Sequence, residues 1–218
     1  MTAVSTAYVM LGIARKGTSS LAMANVRPMT GVIFMMSISL DGYFEGVDRG
    51  LEWQLIEGEL HAHFNNWLRD ASAFLEGRVT WELMAAFWPT ADADPDALPE
   101  VREFAPIWRD KPKYVFSRTL QEAGWNTTIL RDVEPAQIVA LTQQHGGALV
   151  VGGPALAASF SALDLIDEYR FYVHPILLGD GHRPFAGPPS TPLALEETRT
   201  FGSGVVMLRY ARRKDRPG

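Results

Sequence analysis

A chain of 218 residues, 47% hydrophobic and 21% charged, has the composition of one globular domain with a sizeable core. Its net charge of -5 supplies no basic field for nucleic acid, so any phosphate site has to be local. The lack of cysteine excludes disulfides, thiolate metal sites and a cysteine nucleophile, and fits a reducing cytoplasm.

Residues 1 to 28 show no sustained periodicity and read as a loosely ordered extension ahead of a domain over 29 to 218. The apolar stretch AYVMLGIA in that extension has no positive charge before it and no small-residue cleavage site after it, which argues against a secretory signal. No apolar run reaches the length of a membrane span. GVIFMMSISLDG (31–42) is a buried strand that leaves through Asp-Gly into a loop rich in glycine and charge. Leu60, Phe64, Trp67 and Leu68 then fall at helix spacing. SAFLEG reads as a strand and TWELMAAFW as a short helix cut off by Pro89. PTADADPDALPE reads as a surface loop, with a helix through EVREFAPIW behind it. KYVFS and TTIL are strands, EPAQIVALTQQH a helix and GALVVGG a strand. PALAASFSAL is a helix opened by proline, and DEYRFYVHPILLG is a strand. LALEETRTF and GVVMLRYARR, joined through GSG, form a closing antiparallel hairpin. Alternating strands and helices with a terminal hairpin predict an α/β domain, its sheet mostly parallel and covered by helices on both faces.

Ligands of parallel sheets bind beyond the carboxyl ends of the strands, and three such ends carry suitable chemistry. At Gly77-Arg78-Val79-Thr80, glycine permits close approach, Arg78 offers a fork of donors, and Thr80 either caps the helix or donates to an anion. At VFSRTL, Ser117, Arg118 and Thr119 put two hydroxyls beside a cation. At VVGGPAL, Gly152-Gly153 breaks the strand and exposes amides at the next helix start. Each has a plainer reading, as a cap, a solvated charge or a turn, but their joint occurrence favours a bound dinucleotide. No Walker loop and no GxGxxG is present.

SLDGYF (39–44), GRVTWE (77–82), VFSRTL (115–120), VVGGPALAASF (150–160) and DEYRFYVHPILLGDGHRPF (167–185) resemble, in order, the motifs of dihydrofolate reductase-like proteins. The resemblance spans roughly residues 31 to 212. It is nearest to the reductase domain of the bifunctional deaminase-reductase of riboflavin biosynthesis, in stand-alone form. It implies a single dihydrofolate reductase-like domain that binds NADPH and reduces a small heterocyclic substrate, in the cytoplasm, as a homodimer, with no nucleic acid or membrane partner. By the same resemblance Arg78 and Thr80 hold phosphates, and Ser117 and Arg118 surround the 2′-phosphate. Gly152, Gly153, Ala155 and Leu156 follow the pyrophosphate and nicotinamide, with Ser37 and Gly77 completing the cofactor set. Asp41 and the loop through Trp53 correspond to a loop that covers the nicotinamide.

The carboxylate that dihydrofolate reductases carry on the first helix has its counterpart at or near His61, with Glu57 and Glu59 close by. Asp41 and His61 are therefore the candidate catalytic residues, and Trp53 and His61 the candidate substrate contacts. The plainer reading of His61 and His63 is a half-exposed pair on the polar side of a helix. His174 reads as a structural polar residue and Asp180 as a turn residue. Two alternatives accompany the riboflavin-type reductase: a dihydrofolate or pteridine reductase, and a non-catalytic NADPH-binding regulatory module.

Overall fold

A computed structural model of the chain describes residues 30–56, 58–185 and 190–213, so the expected extension over 1 to 28 lies outside the described residues. The strands are β1 (Gly31–Ser39), β2 (Ala73–Gly77), β3 (Lys113–Phe116), β4 (Thr127–Leu130), β5 (Ala148–Gly152), β6 (Glu168–His174), β7 (Leu193–Thr200) and β8 (Val206–Arg212). The helices are α1 (Gly58–Asp70), α2 (Arg78–Phe87), α3 (Pro99–Asp110), α4 (Pro135–His145) and α5 (Pro154–Ala162). All eight strands form one sheet in the order β4-β3-β2-β5-β1-β6-β8-β7. Neighbours from β4 to β6 run parallel, and β8 is antiparallel to both β6 and β7. This is the α/β architecture that the alternating pattern predicts.

Period-two alternation divides the buried residues between two faces. Val32 and Phe34 of β1, Ala73 and Leu75 of β2, and Leu149 and Val151 of β5 pack with Ile138 of α4 and Phe160 of α5. Phe74 and Val150 point the other way, against Leu60, Phe64, Trp81, Phe104 and Trp108 of α1 to α3. Strands buried on both faces read as continuous apolar runs, which is why β1 and β5 carry little alternation in polarity.

Two segments differ from the sequence reading. The stretch from Pro89, expected as a surface loop, instead continues a 3-10 helix over Trp88–Ala93 that buries Trp88, Pro89 and Ala91. Pro89 ends the α-helix as expected, but the apolar side chains around it keep the backbone on the core. The strand expected through DEYRFYVHPILLG stops at His174, because Pro175 has no N–H for the ladder. Among the described residues no helix is long and apolar enough to cross a membrane.

Candidate active site

Beyond the carboxyl ends of β1, β2 and β5 lies a cavity of about 490 Å³. Ser37 comes from β1, Glu76 from β2, Thr80 from the first turn of α2, and Gly152 and Gly153 from the β5 exit. Phe64 and Leu68 of α1 and Phe104 of α3 form an apolar wall, and the loop after β1 closes the opposite side through Phe44, Arg49 and Gln54.

The strand ends fit closely because glycine leaves no side chains between them. Gly153 has φ +93°, and a Cβ there would run into Oγ1 of Thr80. A Cβ on Gly152 would lie 3.5 Å from Cγ2 of Thr80 and 3.7 Å from Cγ of Glu76. A Cβ on Gly77 would lie 3.8 Å from Cβ of Leu156, so the first turn of α5 packs directly on the β2 exit. Neither Gly77 at the start of α2 nor Gly153 at the start of α5 makes a side-chain capping hydrogen bond. Thr80 thus does not cap α2; its hydroxyl faces the glycine pair. Two helix starts and a hydroxyl around a side-chain-free cleft form a cradle for an anionic backbone such as a pyrophosphate. The residues present fit a dinucleotide.

The expected 2′-phosphate residues stand apart from the cavity. Ser117 is buried, and its Oγ accepts hydrogen bonds from the N–H groups of Thr119 (3.3 Å) and Leu120 (2.9 Å). Arg118 is 80% exposed and bonded to Asp132, with Nε 2.9 Å from Oδ1. Arg131, which the sequence reading did not single out, ties the same turn by donating to the carbonyls of Ser117 (2.9 Å) and Leu120 (2.7 Å). Arg78 turns back along α2 to Glu82, 2.7 Å away. Ala155 is exposed on the first turn of α5, whereas Leu156 is buried.

The expected catalytic and substrate residues are placed differently. Asp41 accepts hydrogen bonds from Oγ of Ser39 (2.6 Å) and from the N–H groups of Leu178 (3.1 Å) and Gly179 (2.8 Å). The Ser39 hydroxyl leads these in holding its carboxyl down to about 2. Asp41 is a staple between the loops that follow β1 and β6, and it is not on the cavity wall. Trp53 stands edge-on to His174, ring centres 5.3 Å apart. His174 is fully buried, and its Nδ1 accepts the N–H of Leu55 at 3.0 Å, so this pair anchors the loop without entering the cavity.

His61, expected in the substrate pocket and alternatively half exposed, fits neither description. It is 1% exposed, lies off the cavity wall, and keeps Nε2 buried without a hydrogen-bond partner. Burial lowers its imidazole to about 4. One helical turn on, Nδ2 of Asn65 donates to the carbonyl of Glu100 and to Oε2 of Glu103, both at 2.9 Å, so this flank of α1 faces α3. His63 is partly buried between Tyr172 and Arg199. Glu59 accepts from Arg199 (3.3 Å) and from the N–H of Gly202 (2.9 Å), and Glu57 lies outside the described residues. Glu45 and Asp48 line the cavity from the loop after β1; of the strands that build it, β2 brings a carboxyl, that of Glu76. The sequence held a signal for it: in Ala73-Phe74-Leu75-Glu76, residue 76 shares the inward face of Phe74.

The family described as the RibD C-terminal domain matches residues 30–207. Among curated proteins, the uncharacterized YyaP of Bacillus subtilis (strain 168) is 30% identical over 190 residues, covering 86% of this chain and 98% of its own. YwjB of the same organism is 26% identical over 184 residues, covering 83% of this chain and 97% of its own. Among solved structures, a Shewanella sp. PV-4 protein assigned provisionally to riboflavin biosynthesis superposes with a TM-score of 0.65 at 22% identity, covering 85% of this chain and all of that one. A Thermotoga maritima diaminohydroxyphosphoribosylaminopyrimidine deaminase/5-amino-6-(5-phosphoribosylamino)uracil reductase gives 0.58 at 14% identity; the match covers 85% of this chain and 57% of the bifunctional one. These likenesses show the fold, and the match over 30–207 shows the family: the chain belongs to the RibD C-terminal domain family.

Proposed function

We propose that the protein is an NADPH-dependent reductase of a small heterocyclic substrate, of the riboflavin-biosynthesis type. The observation that carries this reading is the convergence of Ser37, Thr80, Gly152 and Gly153 on one cavity, with room beside them for a ring. The family is one of NADPH-dependent pyrimidine reductases, and the Thermotoga protein is described as a reductase of 5-amino-6-(5-phosphoribosylamino)uracil.

In this reading the amides around Gly77, Gly153, Ala155 and Leu156, with the Thr80 hydroxyl, hold the pyrophosphate. Arg118 and Ser117, outside the cavity, are assigned to the 2′-phosphate, with Arg131 positioning their turn. Bound NADPH supplies the hydride. The protein's part is to hold the ring in place, with Phe64, Leu68 and Phe104 excluding water from its face. Asp41 and Trp53 act through the loop: the first staples it to the segment after β6, and the second packs it on His174.

The test is loss of nicotinamide absorbance when the protein and NADPH are offered a panel of ribosylaminouracil phosphates, aminouracils, pterins and dihydrofolate. Oxidation with a uracil-type substrate, slower with NADH, is expected. Binding of NADPH without turnover of any of them would favour a non-catalytic module. Efficient turnover of dihydrofolate alone would favour the pteridine reading.

A further inference from the structure

Glu76 is a charged residue type at a core position. Ala73 and Leu75 face α4 and α5, so alternation turns Phe74 and Glu76 toward α1 to α3. The residue is 4% exposed. Its Oε1 accepts a long hydrogen bond, 3.4 Å, from Nε1 of Trp108. Its Oε2 is buried with no hydrogen-bond partner, and the side chain lines the cavity. Its Cγ is next to the Gly152 backbone, so the carboxyl sits beside the cofactor cradle.

The charges around it do not neutralise it. Lys113, on the adjacent strand, donates to the carbonyls of Trp108, Arg109 and Lys111 and lies over the Trp108 ring, 4.4 Å from its centre. The loop wall brings Glu45, Asp48 and Arg49 to the cavity. The helices bring apolar side chains and the Thr80 hydroxyl. A carboxylate in such a place lacks both water and a paired cation, and retaining the proton relieves that cost. Burial accordingly pushes Glu76 up to about 7, with Lys113 and the Trp108 bond opposing it.

We propose that Glu76 sets the specificity of the cavity: its neutral carboxyl presents Oε2 to a neutral polar ring and turns away anionic groups. This assignment rests on the reductase reading above. A carboxylic acid donates through O–H and accepts through C=O, so it matches a ring edge on which an N–H adjoins a carbonyl. Phe64, Leu68, Phe104 and Met84 hold the flat body of such a ring. An anionic group set against Glu76 would meet no cation on the β2 wall, since Arg49 comes from the loop, and would force Glu76 to stay protonated.

Two measurements test it. Infrared difference spectra of the full chain, wild type minus Glu76→Gln, should show a protonated-carboxyl band at pH 6 that titrates away as the pH is raised to 9. Uracil binding to the NADPH-loaded protein should weaken by roughly tenfold or more over that range, as the acid is converted to a carboxylate. In Glu76→Gln, whose amide keeps a donor and an acceptor at all pH values, the change should be below about twofold. Glu76→Leu should lose uracil binding while still binding NADPH.

No carboxyl band at pH 6, equal pH dependence in wild type and Glu76→Gln, or tighter uracil binding at pH 9 would each overturn the assignment. Failure of the wild type to bind NADPH would instead overturn the reductase reading, with the infrared band still deciding the state of Glu76.

Discussion

Arg118 is tied to Asp132 at the protein surface, with its side chain 80% exposed. A solvated ion pair of this kind contributes only about 0–1 kcal/mol, so the guanidinium is cheaply redirected to a stronger acceptor. A 2′-phosphate is such an acceptor, and charge-assisted hydrogen bonds to it contribute about 1.5–3 kcal/mol. Arg118→Ala should therefore weaken NADPH binding by roughly 10- to 150-fold, leave NADH binding nearly unchanged and shift the melting temperature little. Fluorescence titration with both cofactors and a thermal melt read all three. Equal losses for the two cofactors would mean that the arginine serves the turn around Ser117 and not the phosphate.

At the scale of the element, the strand-to-helix joins depend on having no side chains. Gly153 combines φ +93° with the Thr80 hydroxyl where its Cβ would stand, whereas a Cβ on Gly152 would make only ordinary contacts at 3.5 Å and beyond. Gly153→Ala should thus lower stability by about 1–3 kcal/mol and also cut NADPH affinity. Gly152→Ala should leave the melting temperature nearly intact while filling part of the cavity. Denaturant melts and NADPH titrations of the two variants separate the effects; a Gly153→Ala variant as stable as wild type would show that the join is looser than its geometry implies.

These joins were legible in the sequence because a strand end, a glycine pair and a helix start are all local. So was the α1 stripe of Leu60, Phe64, Trp67 and Leu68, all four of which are buried. The environment of His61 was not, because α3, forty residues further on, decides whether that flank meets water. Glu76 was legible by strand parity, yet a lone carboxyl beside Gly-Arg reads as the polar end of a strand. Only the packing of Trp108 and Phe104 over the sheet shows it to be enclosed.

On the scale of the whole molecule, the sheet ends in a wing of β8 and β7, set beyond β2 and β5, the strands on which α4 and α5 make most of their contacts. The closing strands form the expected antiparallel hairpin, in which β8 lies between β6 and β7 and β7 is the edge at that end of the sheet. Its register shift between Leu195 and Glu197 and its charged residues guard it against edge pairing. A homodimer would therefore use the face of the wing, where Leu195, 55% exposed, pairs across to Tyr210. Sedimentation should give a dimer for the wild type and a monomer for Leu195→Glu; a wild-type monomer near 24 kDa at micromolar concentration would refute it.

The buried titratable groups also shape the stability of the molecule as a whole. Burial lowers His61, His63 and His174 from an ordinary 6.5 to about 4 and raises Glu76 from 4.5 to about 7. Between pH 4.5 and 6.5 the unfolded chain binds three histidine protons that the native state refuses, and the native state keeps one glutamate proton that the unfolded chain has lost. The difference approaches two protons in favour of the unfolded chain in the middle of this window, so stability should climb with pH by up to about 3 kcal/mol per unit there. Above 6.5 the residual histidine protonation of the unfolded chain and the Glu76 proton of the native state approach cancellation, so the climb should flatten. Denaturant melts should thus show stability rising through pH 6.5 and levelling off above about pH 7. Glu76→Gln should steepen the acid limb to about 4 kcal/mol per unit and extend the rise further above 6.5, because only the histidine protons then remain unbalanced. A wild-type profile that is flat from pH 4.5 to 6.5 would show that the histidines protonate inside the native fold.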